Sequence, residues 1–336
     1  MSGGILRKIN KARKLGLAES GAVAMRRFKK KFHILPEVPP TVYIELTDIC
    51  NLDCIMCDRA SMSRGSGLMS MDLFRKVIDE AAEIGVPEVK LNRFGEPMIH
   101  PDLIEMIRYA KDKGIPRVYF TSNATLLDEK KCEALIHSGL DSLTFSVDGS
   151  TAETYEKIRI NAKFKEVTEN IGRFIEMRNA AGQEKPHVVI NTVYMEETKD
   201  EVLQVFDQWG KHVHRINVLP VAQYGNVDNH APIDKARQEK RPCHQPFDRL
   251  MIFWDGVATV CCADINGDLK VGSALESKVV ELWRNDDFSK LRKAHLSKDF
   301  REYPTCASCD GTNKNYLEMM SRMREDIYNK AHALGY

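Results

Sequence analysis

From residue 41 to about 221, short runs rich in β-branched and aromatic residues alternate with longer stretches whose apolar positions recur every three to four residues. The β-rich runs are 41–46, 89–93, 117–121, 142–147, 188–194 and 215–219, and helical periodicity marks 71–84 and 101–113. Gly85, Gly114 and Gly139 stand where helices should stop. Six such alternations imply an α/β fold, a parallel sheet with right-handed crossovers. In barrels of this type the chemistry gathers at the carboxyl ends of the strands. After residue 221 the pattern changes. Residues 222–242 are polar, contain Gly225, Asn226, Asn229 and Pro232, and show no period, so they read as a linker. Beyond them, Asp255-Gly256 between the β-rich runs 250–254 and 257–261 is a hairpin signature.

Composition narrows the class. A chain of 336 residues that is 43% hydrophobic can form one barrel with an appendage, and its net charge of +1 gives no sign of nucleic-acid binding. No apolar run approaches the ~20 residues of a membrane span. Residues 1–38 stand apart. Arg7, Lys8, Lys11, Arg13, Lys14, Arg26, Arg27 and Lys29 to Lys31 are opposed, before Pro36, by Glu19 alone. A basic amphipathic segment of this kind either packs as a solvated helix on the barrel or touches an anionic membrane or phosphate-bearing partner.

The nine cysteines are grouped rather than scattered. With no secretory signal ahead of them, metal ligation in a reducing cytoplasm is expected over disulfides. Cys50-x3-Cys54-x2-Cys57 follows the first β-rich run directly. Three thiolates on so short a loop can hold three corners of a cubane iron–sulfur cluster and leave the fourth iron open. Structural zinc is the alternative, but it favours four closed ligands, usually in Cys-x2–4-Cys pairs.

With that triplet the chain resembles the radical S-adenosylmethionine (SAM) superfamily. The resemblance implies a partial (β/α)6 TIM-like barrel. In it the open iron of a [4Fe–4S] cluster chelates SAM, and one electron cleaves SAM to a 5′-deoxyadenosyl radical that abstracts hydrogen from substrate. Met56 stands where the family usually has an aromatic residue, and Phe94 replaces the first glycine of the family's Gly-Gly-Glu-Pro stretch, while Gly95, Glu96 and Pro97 match. The family role of that stretch is to accept hydrogen bonds from the SAM amino group, for which a carboxylate is well suited. A tight turn is the alternative. The resemblance also assigns Ser122, Ser146 and Asn191, at or near later strand ends, to the SAM ribose and carboxylate, with Arg159 as a carboxylate partner. Helix capping and a surface arginine are the alternatives there.

The carboxyl-terminal part resembles the SPASM/twitch extension of these enzymes. The matches are Cys243, Gly256-x4-Cys261, Gly267-Asp268-Leu269, Leu282-Trp283, Leu291-Arg292 and Cys306-x2-Cys309. No cysteine follows Cys309, so the resemblance implies the shorter twitch form, with one auxiliary [4Fe–4S] cluster on Cys243, Cys261, Cys306 and Cys309. Zinc is again the alternative. The expected organisation is a basic segment 1–38, a radical SAM barrel 39–221, a linker 222–242, a hairpin-plus-helix twitch domain 243–318 and a terminal helix 319–336. Cys132, in a helical stretch, reads as a buried free thiol. Cys262 is unassigned. Next to Cys261 on a strand, its side chain should point to the opposite face, either packing under the cluster or facing substrate as a hydrogen donor.

The expected function is a radical SAM oxidoreductase that dehydrogenates a small sugar-like or aminocyclitol substrate, with a flavodoxin- or ferredoxin-type reductant. The alternatives are a redox-neutral epimerase using Cys262, a peptide-modifying maturase, or a non-enzymatic iron–sulfur sensor or electron carrier. The nearest architectural relatives in the family are aminocyclitol dehydrogenases and carbohydrate epimerases of antibiotic pathways.

Overall fold

The computed structural model describes residues 33–221 and 239–336. Most of the basic segment 1–38 and of the linker 222–242 therefore lies outside the described residues. Strand β1 (Thr41–Ile44) leads into a short strand β2 (Asp53–Cys54), then α1 (Met71–Glu83), β3 (Glu88–Lys90), α2 (Leu103–Asp112), β4 (Arg117–Ser122), α3 (Glu129–Ile136) and β5 (Ser142–Ser146). Then come α4 (Ala152–Ile158), β6 (Arg159–Ile160), α5 (Phe164–Ala180), β7 (His187–Tyr194), α6 (Val202–Trp209) and β8 (Arg215–Pro220). The carboxyl-terminal part adds β9 (Arg249–Ile252), β10 (Val257–Thr259), β11 (Gly272–Ser273), α7 (Val279–Arg284), α8 (Asp286–Ser297), α9 (Pro304–Ser308) and α10 (Lys314–Ala333).

Nine strands form one sheet in the order β11-β10-β9-β1-β3-β4-β5-β7-β8, and the pairs from β9 through β8 are parallel. All six expected barrel strands and both named helices are present, with every end within three residues of the expected one. The helices stop as expected: Gly85 and Gly114 take left-handed φ of 74° and 84°, a conformation that glycine adopts without a Cβ penalty. Ser70 caps α1 by accepting from Leu73 N at 3.2 Å.

Strand alternation divides the residues between two environments. Val42, Ile44, Val89, Val118, Phe120, Leu143, Phe145, Val188 and Ile190 are fully buried in the apolar core with the helices. Asn92, Thr121, Ser146 and Val193, at positions of the other parity, line a cavity at the strand ends.

The hairpin continues the barrel sheet. Strand β9 lies parallel to β1, with Thr41 opposite Arg249 and Ile44 opposite Ile252, and β10 returns antiparallel beside it. Gly256 turns the hairpin with φ 88°. Strand β10 ends at Thr259, so Cys261 and Cys262 lie in the turn that follows instead of on the strand expected from 257–261. Among the described residues no helix is long and apolar enough to cross a membrane.

Candidate active site

At the carboxyl ends of the strands lies a cavity of about 420 Å³. Cys50, Cys54 and Cys57 line it together with Met56, Phe94, Gly95, Glu96, Ser122, Ser146 and Arg159. Among the expected SAM-site residues, Pro97 and Asn191 are not in its wall. Pro97 starts a short 3-10 turn that Glu96 caps. Asn191 sits one step deeper than the lining residue Val193 on the same face, where it accepts from Asn217 Nδ2 at 2.8 Å.

Contacts that are distant in sequence fix the cysteine loop. Gly95 has φ 73°, and a Cβ there would meet Thr47 O at 2.4 Å, so only glycine lets this segment pass so close to the end of β1. That approach places Glu96 N 2.9 Å from Ile49 O. The Glu96 carboxylate is buried and accepts from Asn123 N at 2.7 Å and Met98 N at 3.1 Å, and burial pushes its pKa up. Asn123 Nδ2 donates to Asn51 Oδ1 at 3.0 Å and approaches Cys50 Sγ at 3.9 Å. Strands β2 and β6 pair Cys54 with Arg159. The Arg159 guanidinium is clamped by the buried Asp148 at 2.9 and 2.6 Å and points Nη1 at Cys54 Sγ, 3.8 Å away. Arg159 is thus neither a surface arginine nor free of protein partners.

A second thiol group lies in a narrow pocket of about 20 Å³ lined by Cys243, Cys261, Cys306 and Cys309 with Gln245, His295 and Thr312. Burial raises the Cys306 and Cys309 thiols to about 12. Three of the four sulfurs receive a backbone N–H from two residues ahead: Gln245 N to Cys243 at 3.5 Å, Ala263 N to Cys261 at 3.2 Å and Gly311 N to Cys309 at 3.2 Å. His295 Nε2 faces Cys306 Sγ at 3.6 Å.

Cys261 and Cys262 separate the two sites. Cys261 lines the narrow pocket and Cys262 lines the large cavity, on the same wall as Arg93. The expectation of opposite directions holds for the spaces they line, yet a turn rather than strand alternation produces it. The two thiols also meet in a shared side-chain hydrogen bond, and the Arg249 and Arg93 guanidiniums and the Gln245 side chain stand near Cys262.

Two arginines that carry no family motif bind this turn. Arg93 Nη2 donates to the carbonyls of Cys261 (3.3 Å), Cys262 (3.2 Å) and Asp264. Arg64 Nε donates to Ile265 O at 2.8 Å, and its Nη2 meets Glu45 at 2.6 Å. Phe253 stacks under both guanidiniums, at 4.1 Å from Arg64 and 4.9 Å from Arg93. The one signal in the sequence was a charged residue, Arg93, closing the alternating run Val89-Lys90-Leu91-Asn92 directly before Phe94-Gly95-Glu96-Pro97.

The donor chemistry fits iron–sulfur clusters. Both groups are soft thiols, and the second set is supplied with N–H donors aimed at sulfur. None of the nine cysteines is in a disulfide, and Cys132 is fully buried in α3.

Residues 44–208 match the family model of the radical SAM superfamily, and 243–310 match the iron–sulfur cluster-binding SPASM domain. The tungsten-containing aldehyde ferredoxin oxidoreductase cofactor-modifying protein of Pyrococcus furiosus is 32% identical over 315 residues, 80% of this chain and 86% of its own. The AdoMet-dependent heme synthase of Methanosarcina barkeri is 39% identical, over 37% of this chain and only 36% of its own length. Among solved structures, BtrN in complex with AdoMet and 2-DOIA superposes with a TM-score of 0.57 at 16% identity, covering 81% of this chain and 93% of that one. Streptococcus suis SuiB bound to S-adenosylmethionine gives 0.65 at 16% identity, covering 91% and 80%. With the thiol triplet at the strand ends of a partial barrel and a second thiol group beyond it, the chain belongs to the radical SAM superfamily with a SPASM domain, an enzyme whose cofactors are SAM, the [4Fe–4S] cluster that binds it and an auxiliary [4Fe–4S] cluster.

Proposed function

We propose that this enzyme is an oxidoreductase that dehydrogenates a small, carbohydrate-like substrate. The observation that carries the reading is the Cys261–Cys262 step, in which one residue lines the substrate-sized cavity, its neighbour lines the auxiliary pocket, and their side chains are in contact. Cys50, Cys54 and Cys57 hold the first cluster, and Cys243, Cys261, Cys306 and Cys309 hold the second. Gly95 and Glu96 orient SAM from one wall, with Pro97 fixing their turn. Ser122 and Ser146 supply polar contacts at neighbouring strand ends, and Asn191 supports them from the layer below. Arg159 places positive charge beside Cys54, and its Asp148 clamp keeps that charge in position. When bound, SAM and its cluster supply the radical that removes one hydrogen atom, and the auxiliary cluster supplies an acceptor for the second electron. The substrate thereby loses two hydrogens overall, one as an atom and one as a proton.

A cavity of about 420 Å³ is at the small end of ligand sites (~300–1,000 Å³). With SAM inside, it favours a compact substrate over a peptide. Grouped thiols outside any disulfide suit a reducing cytoplasm and a flavodoxin- or ferredoxin-type reductant. The second reading is a redox-neutral epimerase, favoured by the place of Cys262 in the wall of the main cavity.

Anaerobic reconstitution with an assay for 5′-deoxyadenosine tests the radical chemistry and separates an enzyme from a mere electron carrier. Turnover in deuterium oxide then separates the two reactions. A product two hydrogens lighter, without carbon-bound deuterium and still formed by Cys262→Ala, is expected for the dehydrogenase. A product of unchanged composition that gains one carbon-bound deuterium, and is lost in Cys262→Ala while SAM cleavage persists, would make Cys262 the hydrogen donor.

A further inference from the structure

His295 lies in the last turn of α8, 2% exposed, with its ring against Phe300 at 4.9 Å. Its two nitrogens face different partners. Cys243 N donates to Nδ1 at 3.2 Å, so Nδ1 presents a lone pair and carries no proton. A neutral imidazole has one N–H, which must then reside on Nε2. Nε2 faces Cys306 Sγ at 3.6 Å. The backbone hydrogen bond at one edge of the ring therefore sets the tautomer that aims an N–H at sulfur from the other edge.

The neighbouring sulfurs show what this N–H is for. Cys243, Cys261 and Cys309 each face a backbone N–H from two residues further on. At Cys306 the facing donor comes from a side chain on another helix. We infer that His295 donates an Nε2–H hydrogen bond to the Cys306 sulfur and is a positioning residue that raises the reduction potential of the auxiliary cluster. This rests on the assignment of Cys306 as a ligand in the proposed function. The physical reason is electrostatic. One-electron reduction adds negative charge that spreads onto the thiolate sulfurs, and an N–H aimed at sulfur stabilises the reduced form more than the oxidised one. Backbone donors of this kind cannot be removed by side-chain substitution, whereas His295 can.

The test uses the full chain with Cys50, Cys54 and Cys57 replaced by Ala, so that only the auxiliary cluster is titrated by electron paramagnetic resonance. His295→Phe keeps ring volume and removes both nitrogens. It is expected to shift the one-electron equilibrium three- to tenfold toward the oxidised form, a midpoint lower by about 30–59 mV. His295→Gln, which retains an N–H, should fall between the two. An unchanged midpoint in His295→Phe with iron content intact would overturn the inference. A second readout stands if that variant fails to assemble a cluster. With ¹⁵N-labelled histidine, the reduced cluster of the parent protein should show one weak nitrogen coupling, as expected across a hydrogen bond. No coupling, or the strong coupling of a directly ligated imidazole, would equally overturn it. A parent protein without any [4Fe–4S] signal would instead overturn the ligand assignment itself, and His295's role would go with it.

Discussion

The two thiol groups differ in almost every respect except their chemistry. Cys50, Cys54 and Cys57 come from one eight-residue stretch and line a wide cavity whose other walls are strand ends, polar at Asn92, Thr121, Ser122 and Ser146 and apolar at Val193 and Leu219. Cys243, Cys261, Cys306 and Cys309 are drawn from three separate stretches and enclose a narrow pocket in which Cys306 and Cys309 are buried. The first group is local in sequence but needs distant residues (Glu96, Asn123 and Arg159) to hold its loop. The second is scattered in sequence but supplies most of its own sulfur contacts from the residues that follow each cysteine. An open site has to be shaped by the fold because another molecule must enter it. A closed site can be shaped by its own backbone.

The sharpest way to break this contrast is to remove one group at a time. Replacing Cys50, Cys54 and Cys57 by Ala should reduce SAM cleavage to background while about four irons per chain remain, the content of one [4Fe–4S] cluster. Loss of all iron would mean that the two groups are not independent. The reverse experiment, Cys306→Ala with Cys309→Ala, should leave about four irons and preserve 5′-deoxyadenosine formation. It should also lower the melting temperature, because metal bound to the native state stabilises it. Differential scanning calorimetry on both variants compares their structural contributions, and the larger loss is expected for the closed pocket.

Smaller changes sharpen the comparison. Glu96→Gln sets an amide NH2 against one of the two backbone N–H groups that the carboxylate now accepts. A cost of about 1–3 kcal/mol should appear as weaker SAM binding in equilibrium dialysis, roughly tenfold at 1.4 kcal/mol. Unchanged affinity would leave Glu96 as a helix cap alone. Arg93→Lys tests the tie between the regions. Lysine cannot span the carbonyls of Cys261, Cys262 and Asp264 as the guanidinium does. Formation of 5′-deoxyadenosine should continue while product per SAM cleaved falls several-fold, measured by paired chromatography of both products. Parallel loss of both activities would place Arg93 in the SAM half instead.

Much of this was legible in the sequence for identifiable reasons. The alternation of Val42, Ile44, Val89, Val118, Phe120 and the other helix-facing strand residues is a local pattern that burial imposes, so strands, helices and their order could be read directly. The cysteine spacings and Gly95-Glu96-Pro97 could be read because ligand geometry and a close backbone approach tolerate few residue types. Arg93, Arg64 and His295 could not be found in this way. Each acts on a partner 169 to 201 residues away or on another element, and an arginine or histidine beside a strand or within a helix looks the same whether it faces solvent or a sulfur.

The division of Cys261 from Cys262 shows where the boundary lies. The chain alone determined that two cysteines are adjacent after a hairpin and that one completes a four-thiol set by resemblance to a family. Only the tertiary structure decided that β10 stops at Thr259, that β9 lies against β1, and that Arg93 reaches across from the segment after β3 to grip the turn. Those facts put one of the two residues in the wall of each space. Spacing and periodicity encode what neighbouring residues do to one another, whereas the direction of a side chain in a turn depends on contacts that exist only after the sheet has closed.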